Sequence, residues 1–331
     1  KKWLGATFAV LITISFGFVF NAVQANTVAT AFNNAFGLDK MVIGIVLAAL
    51  TAAVIFGGVH RVAKVSEIIV PIFAGLYILV SLFIVVTNLN YIPGVFKLIF
   101  ESAFGMREIA MGTMGGMMLI GIKRGLFSNE AGMGSAPNAA ATATVSHPAK
   151  QGLIQTLGVF TDTLIICTST AFIILLSGVP LDGSVKGIEL TQMALVSQVG
   201  SWGGTFISIC ILLFAFSSII GNYYYGETNI QFITENKVFL YVYRILVAAM
   251  VLFGSIASMD LVWNIADVFM GLMAILNLIA IVLLSKIAIK ALQDYTAQKK
   301  AGKDPVFYAS SIPELGDEVE EWREDEKEAI A

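Results

Sequence analysis

Phe127-Ser128-Asn129-Glu130-Ala131-Gly132-Met133-Gly134-Ser135-Ala136-Pro137 is the stretch that decides how this chain is read. Two glycines and a proline in so short a run oppose a continuous helix, because glycine pays heavily in backbone entropy there and proline lacks the N–H. Unwinding frees main-chain carbonyls and amides. Inside lipid such backbone persists only where it lines a cavity or is buried in protein. Two readings follow, a tight turn in a loop outside the bilayer or a helix broken part-way across it.

The surroundings bear on that choice. Of the 331 residues, 57% are hydrophobic and 13% charged, far from the roughly 25% charged residues of soluble domains, so lipid is the main solvent. A hydrocarbon core needs about 20 mostly apolar residues per helix. Runs of that kind cover residues 4–20, 41–58, 68–86, 153–177, 202–221, 238–254 and 263–285. They lack the alternation of a barrel strand and open strands cannot span lipid, which makes the fold class all-α, a polytopic membrane helical bundle. Residues 107–147, Gly- and Ala-rich and interrupted by Lys123 and Arg124, form a discontinuous eighth span.

Basic residues collect on the cytoplasmic side of short loops. One side receives Lys1 and Lys2, Arg61 and Lys64, Lys150, Lys237, and Lys286 with Lys290. The other holds the longer loops 21–40, 87–106 and 178–201, with Lys40, Lys97 and Lys186, and Arg107 at the edge. Both ends are therefore expected in the cytoplasm. Two outer segments, 93–104 and 187–199, read as interfacial helices over an outer vestibule. The domain division is a membrane part, 1–285, and a charged cytoplasmic tail, 286–331, whose acids from Glu314 to Glu328 make the net charge of −3.

Several function classes drop out. No basic footprint for nucleic acid is visible. Cys167 and Cys210 each sit alone in apolar runs, and His60 and His147 stand at span ends, so no catalytic or metal constellation is formed and the chain is not read as an enzyme. The Gly112, Gly115 and Gly116 group reads as close helix packing.

Polar residues at mid-span are expensive in hydrocarbon. Beside the 127–137 run, where half-helix ends and freed carbonyls are expected to receive a zwitterion or a cation, three clusters stand out. Gln24, four residues from Phe20, shares its helix face and either donates to a ligand carboxylate or bonds between helices. Ser217 and Ser218 are either hard oxygen ligands for a small cation or bond back to their own helix. Asp162, beside Thr161 and Thr163, needs an ion or a partner such as Arg124.

The run Arg124-Gly125-Leu126-Phe127-Ser128-Asn129-Glu130-Ala131-Gly132-Met133-Gly134-Ser135-Ala136-Pro137 strongly resembles the alanine or glycine:cation symporter family. So does Phe214-Ala215-Phe216-Ser217-Ser218 leading into Tyr223-Tyr224-Tyr225-Gly226-Glu227, and the run from Phe20 to Thr27 is compatible with it. The resemblance implies a leucine-transporter-type fold of the APC superfamily, an inverted repeat of five plus five helices, here incomplete at the N-terminus and starting at the third helix of the repeat core. It implies sodium-driven uptake of a small neutral amino acid, alanine or glycine, by alternating access in the cell membrane, with sodium as coupling ion and no other cofactor. By motif position Phe20, Gln24, Phe127, Ser128, Asn129 and Met133 would line the substrate pocket, and Ser217 and Ser218, with Asp162, would hold sodium. Two alternatives remain, a proton-coupled or differently selective carrier using Asp162 or Glu130, and a membrane protein that transports nothing.

Overall fold

A computed structural model describes residues 2–57, 59–104, 114–318 and 322, and every regular element among them is helical. α1 occupies residues 2–36, α-helical at Lys2–Ile14 and Asn21–Phe36 with a wider π turn at Ser15–Phe20 between. Next come α2 (Lys40–Gly57), α3 (Val59–Thr87), α4 (Ile92–Ala103), α5 (Met114–Ser128) and the short α6 (Ala136–Ala140). α7 runs Pro148–Leu175, with a second π turn at Asp162–Cys167. α8 (Ile188–Val199), α9 (Trp202–Ile233), α10 (Lys237–Ile256) and α11 (Met259–Lys300) complete the bundle.

Among the described residues, seven helices are long and apolar enough to cross a membrane, at Trp3–Phe36, Lys40–Gly57, Glu67–Thr87, Pro148–Leu175, Trp202–Ile233, Lys237–Ile256 and Met259–Lys300. Each overlaps one of the seven runs read from the sequence. Leu79, Leu164 and Val282 stand 61%, 63% and 71% exposed on outer faces, a distribution that suits hydrocarbon and not water. The eighth segment is described from Met114 onward. Arg107 and Gly112 lie outside the described residues, as does the acidic end beyond Glu318 apart from Trp322.

Two outer features differ from expectation. Residues 21–40 are not a loop, because α1 continues to Phe36 and ends at Gly37, whose φ of 67° forms a left-handed cap with its N–H on the Asn33 carbonyl. Of the polar residues that suggested an exit from lipid, Asn26 is bonded inside the bundle. Asn26 Nδ2 donates to the carbonyls of Gly254 at 2.9 Å and Ala257 at 2.8 Å. The segment 187–199 does form a helix, but it is packed inward rather than laid on a surface. Its Gln192 is buried, donating to the Ala31 carbonyl at 2.8 Å and to Ser208 Oγ at 2.9 Å.

α1 is the hub of the bundle, packed against α9, α10 and α11. Its N-terminal half joins Ile12, Phe16 and Val19 to Met133, Ala266, Met270 and Met273, and its C-terminal half joins Ala25, Val28 and Ala29 to Leu47, Ile219 and Val251. Small residues let the backbones approach. A Cβ on Gly254 would stand 2.3 Å from the Ala22 carbonyl oxygen and 2.4 Å from its Cα.

α11 runs through position 285, where the sequence places the domain boundary, and turns at Gly302 with φ 73°. The chain then folds back. Phe307 N–H donates to the Ser146 carbonyl at 2.9 Å, and the Phe307 ring meets the buried His147 edge-on at 5.2 Å. His147 Nδ1 accepts from Ala149 N–H and caps α7, which leaves Nε2 as the donor to Asp294 at 3.2 Å. Lys150 donates to Asp304 and holds that carboxyl below the usual carboxylate range.

The tight contact at Gly254 is expected to make Gly254→Ala destabilising by about 1–3 kcal/mol or more, through overpacking against α1. Gly271→Ala, in the interior of α11 with open space where its Cβ would stand, is expected to be neutral or stabilising. Thermal unfolding of the two variants in detergent checks the contrast.

Candidate functional site

The helical backbone is interrupted after Ser128. α5 ends at Ser128, and the chain passes Glu130 at φ 48°, Gly132 at φ 72° and Gly134 at φ 85° before α6 begins at Ala136. Glycine adopts positive φ freely. At Gly134 there is also no room for a side chain, since a Cβ would lie 2.6 Å from the Phe8 ring and 2.9 Å from Asn277 Oδ1. Glu130 is a rare non-glycine residue in this region, and its Oε2 accepts from Ser135 Oγ at 2.6 Å, closing the turn on itself.

A pocket of about 350 Å³ opens beside this break. α1 contributes Phe16, Phe20 and Gln24, residues spaced four apart that follow one face through the π turn. The broken segment contributes Phe127, Ser128, Glu130 and Met133, and α9 contributes Ser217, Ser218, Gly221, Asn222 and Tyr225. Aromatic rings wall it: Phe16 meets Phe20 at 4.6 Å and Tyr225 at 5.2 Å, Phe20 meets Phe127 at 5.1 Å, and Phe127 meets Trp263 at 4.8 Å. Beyond Trp263 the Arg124 guanidinium lies 4.5 Å over the indole and pairs with Asp267 at 2.5 Å, with Lys123 3.4 Å from the same carboxylate.

The structure thus brings together Phe20, Gln24, Phe127, Ser128, Met133, Ser217 and Ser218. Asn129 is not in the lining. Its amide donates to the Gly125 carbonyl at 3.1 Å and its Oδ1 accepts from Thr163 at 3.1 Å. Asp162 stands behind the pocket wall, accepting from Ser128 Oγ at 2.5 Å with Cys167 Sγ 3.7 Å away. Arg124 is therefore not its partner; the guanidinium is taken by Asp267, one helix over. Ser217 and Ser218 both donate to the Phe214 carbonyl, at 2.8 and 3.0 Å. A hydroxyl has one proton and two acceptor lone pairs, so bonding back to the helix leaves oxygen free to accept. The two readings of these serines are compatible.

The carbonyls at Gly132 and Gly134 each accept one side-chain bond, from Asn277 Nδ2 at 2.9 Å and Asn138 Nδ2 at 3.0 Å, and neither glycine lines this pocket. Other polar groups in the lining have no partner. Among the described residues, the carboxamides of Gln24 and Asn222 and the Tyr225 hydroxyl line the pocket with no hydrogen bond. Asn222 is only 6% exposed as a residue, and it lines the pocket. Phe16, Asn222 and Tyr225 were missed as site residues in the sequence. Spacing from Ser218 to Asn222 and Tyr225, four and then three along one helix, was the signal that pointed to the latter two.

The profile of the sodium:alanine symporter family matches residues 1–309. The amino-acid carrier protein AlsT of Bacillus subtilis (strain 168) is 58% identical over 328 residues, 99% of this chain and 70% of the relative. The probable sodium/glutamine symporter GlnT of the same organism is 59% identical over 308 residues, covering 93% and 64%. The sodium/alanine symporter AgcS of Methanococcus maripaludis is 39% identical over 302 residues, covering 90% and 66%. The chain spans about two thirds of the length of these relatives.

Side chains that make no hydrogen bond within the protein add no polar stabilisation to it. Gln24→Ala and Asn222→Ala are expected to leave thermal unfolding in detergent within about 0.5 kcal/mol of the parent, whereas Asn26→Ala, which strands two carbonyls, lowers it by about 1–3 kcal/mol. A loss at Asn222 as large as that at Asn26 would make it a packing residue.

Proposed function

This chain belongs to the sodium:alanine symporter family, and from that premise we propose that it forms the main part of a carrier coupling sodium entry to uptake of a small neutral amino acid. The observation that supports this best is the convergence, in one cavity, of a backbone break, two adjacent serines and two unpaired carboxamides. A zwitterion needs donors for its carboxylate, acceptors for its ammonium and an apolar recess for its side chain. Gln24, Asn222 and Ser128 offer the polar partners, and Phe20, Phe127 and Met133 the recess. Ser217 and Ser218 present oxygens to sodium, a hard cation. Asp162, bonded to Ser128 behind the wall, adds a carboxylate that a second cation or a proton would engage, while Asn129 braces the break against α7.

The cycle we infer is alternating access in a leucine-transporter-type inverted-repeat fold in the cell membrane, the C-terminus in the cytoplasm. Trp263, Phe127 and Phe20 cover the pocket on the side of the Arg124–Asp267 pair, so opening there requires these rings to part. Coupling requires that amino acid and sodium each stabilise the same closed arrangement.

A second reading of the substrate has its own support. Unpaired carboxamides at Gln24 and Asn222 are complementary to a carboxamide on the ligand, and the pocket of about 350 Å³ exceeds what alanine fills. Glutamine therefore stands beside alanine and glycine as a candidate, in keeping with the name of the 59% identical relative.

Uptake of labelled alanine by the full-length protein in proteoliposomes is expected to require Na⁺ on replacement by K⁺ at fixed pH; equal rates in both salts would sink sodium coupling. Ser217→Ala and Ser218→Ala are each expected to raise the half-saturating Na⁺ concentration about tenfold, equivalent to ~1.4 kcal/mol, and Gln24→Ala to raise that of the amino acid by a similar factor. Unlabelled glutamine added in excess decides between the two substrate readings by competing or failing to compete.

A further inference from the structure

The broken segment borders two cavities. Glu130 and Met133 face the pocket already described. Gly134 and Asn138 face a second cavity of about 400 Å³, bounded by Phe8 of α1, Phe232 of α9 and Leu276 of α11. Between the two, Met133 and Ser135 are 0% exposed. The segment 130–138 thus contributes residues to both cavities, and its two glycines have the torsional freedom to move.

What fixes that stretch is a set of asparagines that line the second cavity. Asn277 on α11 donates to the Gly132 carbonyl at 2.9 Å, and Asn138 donates to the Gly134 carbonyl at 3.0 Å. Asn229 on α9, 9% exposed, donates to Asn138 Oδ1 at 2.9 Å and to the Tyr225 carbonyl at 2.8 Å. The segment is thus pinned to α11 at one glycine and, through Asn138, to α9 at the other. All of these bonds run from amide hydrogens to carbonyl oxygens, which a rotation of the asparagine side chains undoes without moving a helix.

We propose that Asn229 and Asn277 are positioning residues that latch the 130–138 partition shut, Asn229 acting through Asn138, and that releasing this latch joins the two cavities into one continuous path. The inference rests on the carrier reading, for which such a path has to open and close within each cycle. It assigns to these side chains control over access and not contact with the transported molecule.

The test follows the reach of a small thiol reagent to the partition. Ser135→Cys places a thiol at a fully buried position with a one-atom change, in full-length protein carrying Cys167→Ser and Cys210→Ser and stripped of other cysteines. Its labelling by N-ethylmaleimide in detergent is followed by mass spectrometry. Adding Asn277→Asp or Asn229→Asp, which remove an amide donor at nearly constant shape, is expected to speed labelling at least tenfold. Asn277→Gln, which keeps an amide, returns the rate toward the parent. Equal labelling in the parent and both Asp variants overturns the latch. Should Asn277→Asp not yield monodisperse protein, Asn229→Ala leaves the Gly132 bond in place and gives the same two outcomes. Sodium-driven uptake by the unsubstituted protein is measured in parallel. Faster labelling without any uptake in the unsubstituted protein leaves the latch standing and removes the carrier reading; uptake with unchanged labelling does the reverse.

Discussion

An open backbone has no partner in hydrocarbon, and each unpaired N–H or C=O there costs several kcal/mol. The site depends on how the backbone between Ser128 and Ala136 is paired. The turn is closed internally by Ser135 on Glu130, and the carbonyls of Gly132 and Gly134 are satisfied by side-chain amides brought from outside the segment or from its far end. Because those amides supply the pairing, the irregular backbone can sit against the hub helix and expose side chains, not bare carbonyls, to the pocket.

The same requirement bears on the asparagine amides of α1. Asn21 bonds to the Gly17 carbonyl and Asn26 to two carbonyls at the end of α10, so each works between or within helices. Gln24 differs in having no such partner and in lining the cavity. The difference separates a structural amide from one available to a ligand, and it lies in three-dimensional surroundings rather than residue type. Close approach at Gly254 and Ala22 then sets the distance at which α1 presents Gln24.

Much of this was legible in the residues alone. Seven apolar runs became seven helices because length and hydropathy are what a bilayer selects for, and the break at 127–137 was announced by Gly132, Gly134 and Pro137. The grouping of Gln24 with Ser217 and Ser218 was carried by motif position. Other parts were not legible. Polar Asn21, Gln24 and Asn26 read as the end of a span because hydropathy cannot distinguish a polar residue facing protein from one facing water. The partner of Arg124 could not be chosen between Asp162 and Asp267 without the fold. Helix α8 read as interfacial for the same reason that Gln192, whose bonds go to α1 and α9, looks like a surface residue in one dimension.

The π turn at Ser15–Phe20 carries one more consequence. An α-helix advances about 100° per residue, and a π turn accommodates one residue more than an α turn would. The C-terminal half of α1 is therefore offset by one residue from the phase set by its N-terminal half, and a helical wheel drawn from Lys2–Ile14 misassigns every position after Phe20. Deleting a single residue within that turn would let the ladder revert to ordinary α pairing and leave Gln24 at the same azimuth, because the wider turn is what absorbs the extra residue. The direction of the ligand-facing amide thus tolerates a one-residue change of length there, and homologous chains with and without the extra residue would point the same aligned residue into the same space.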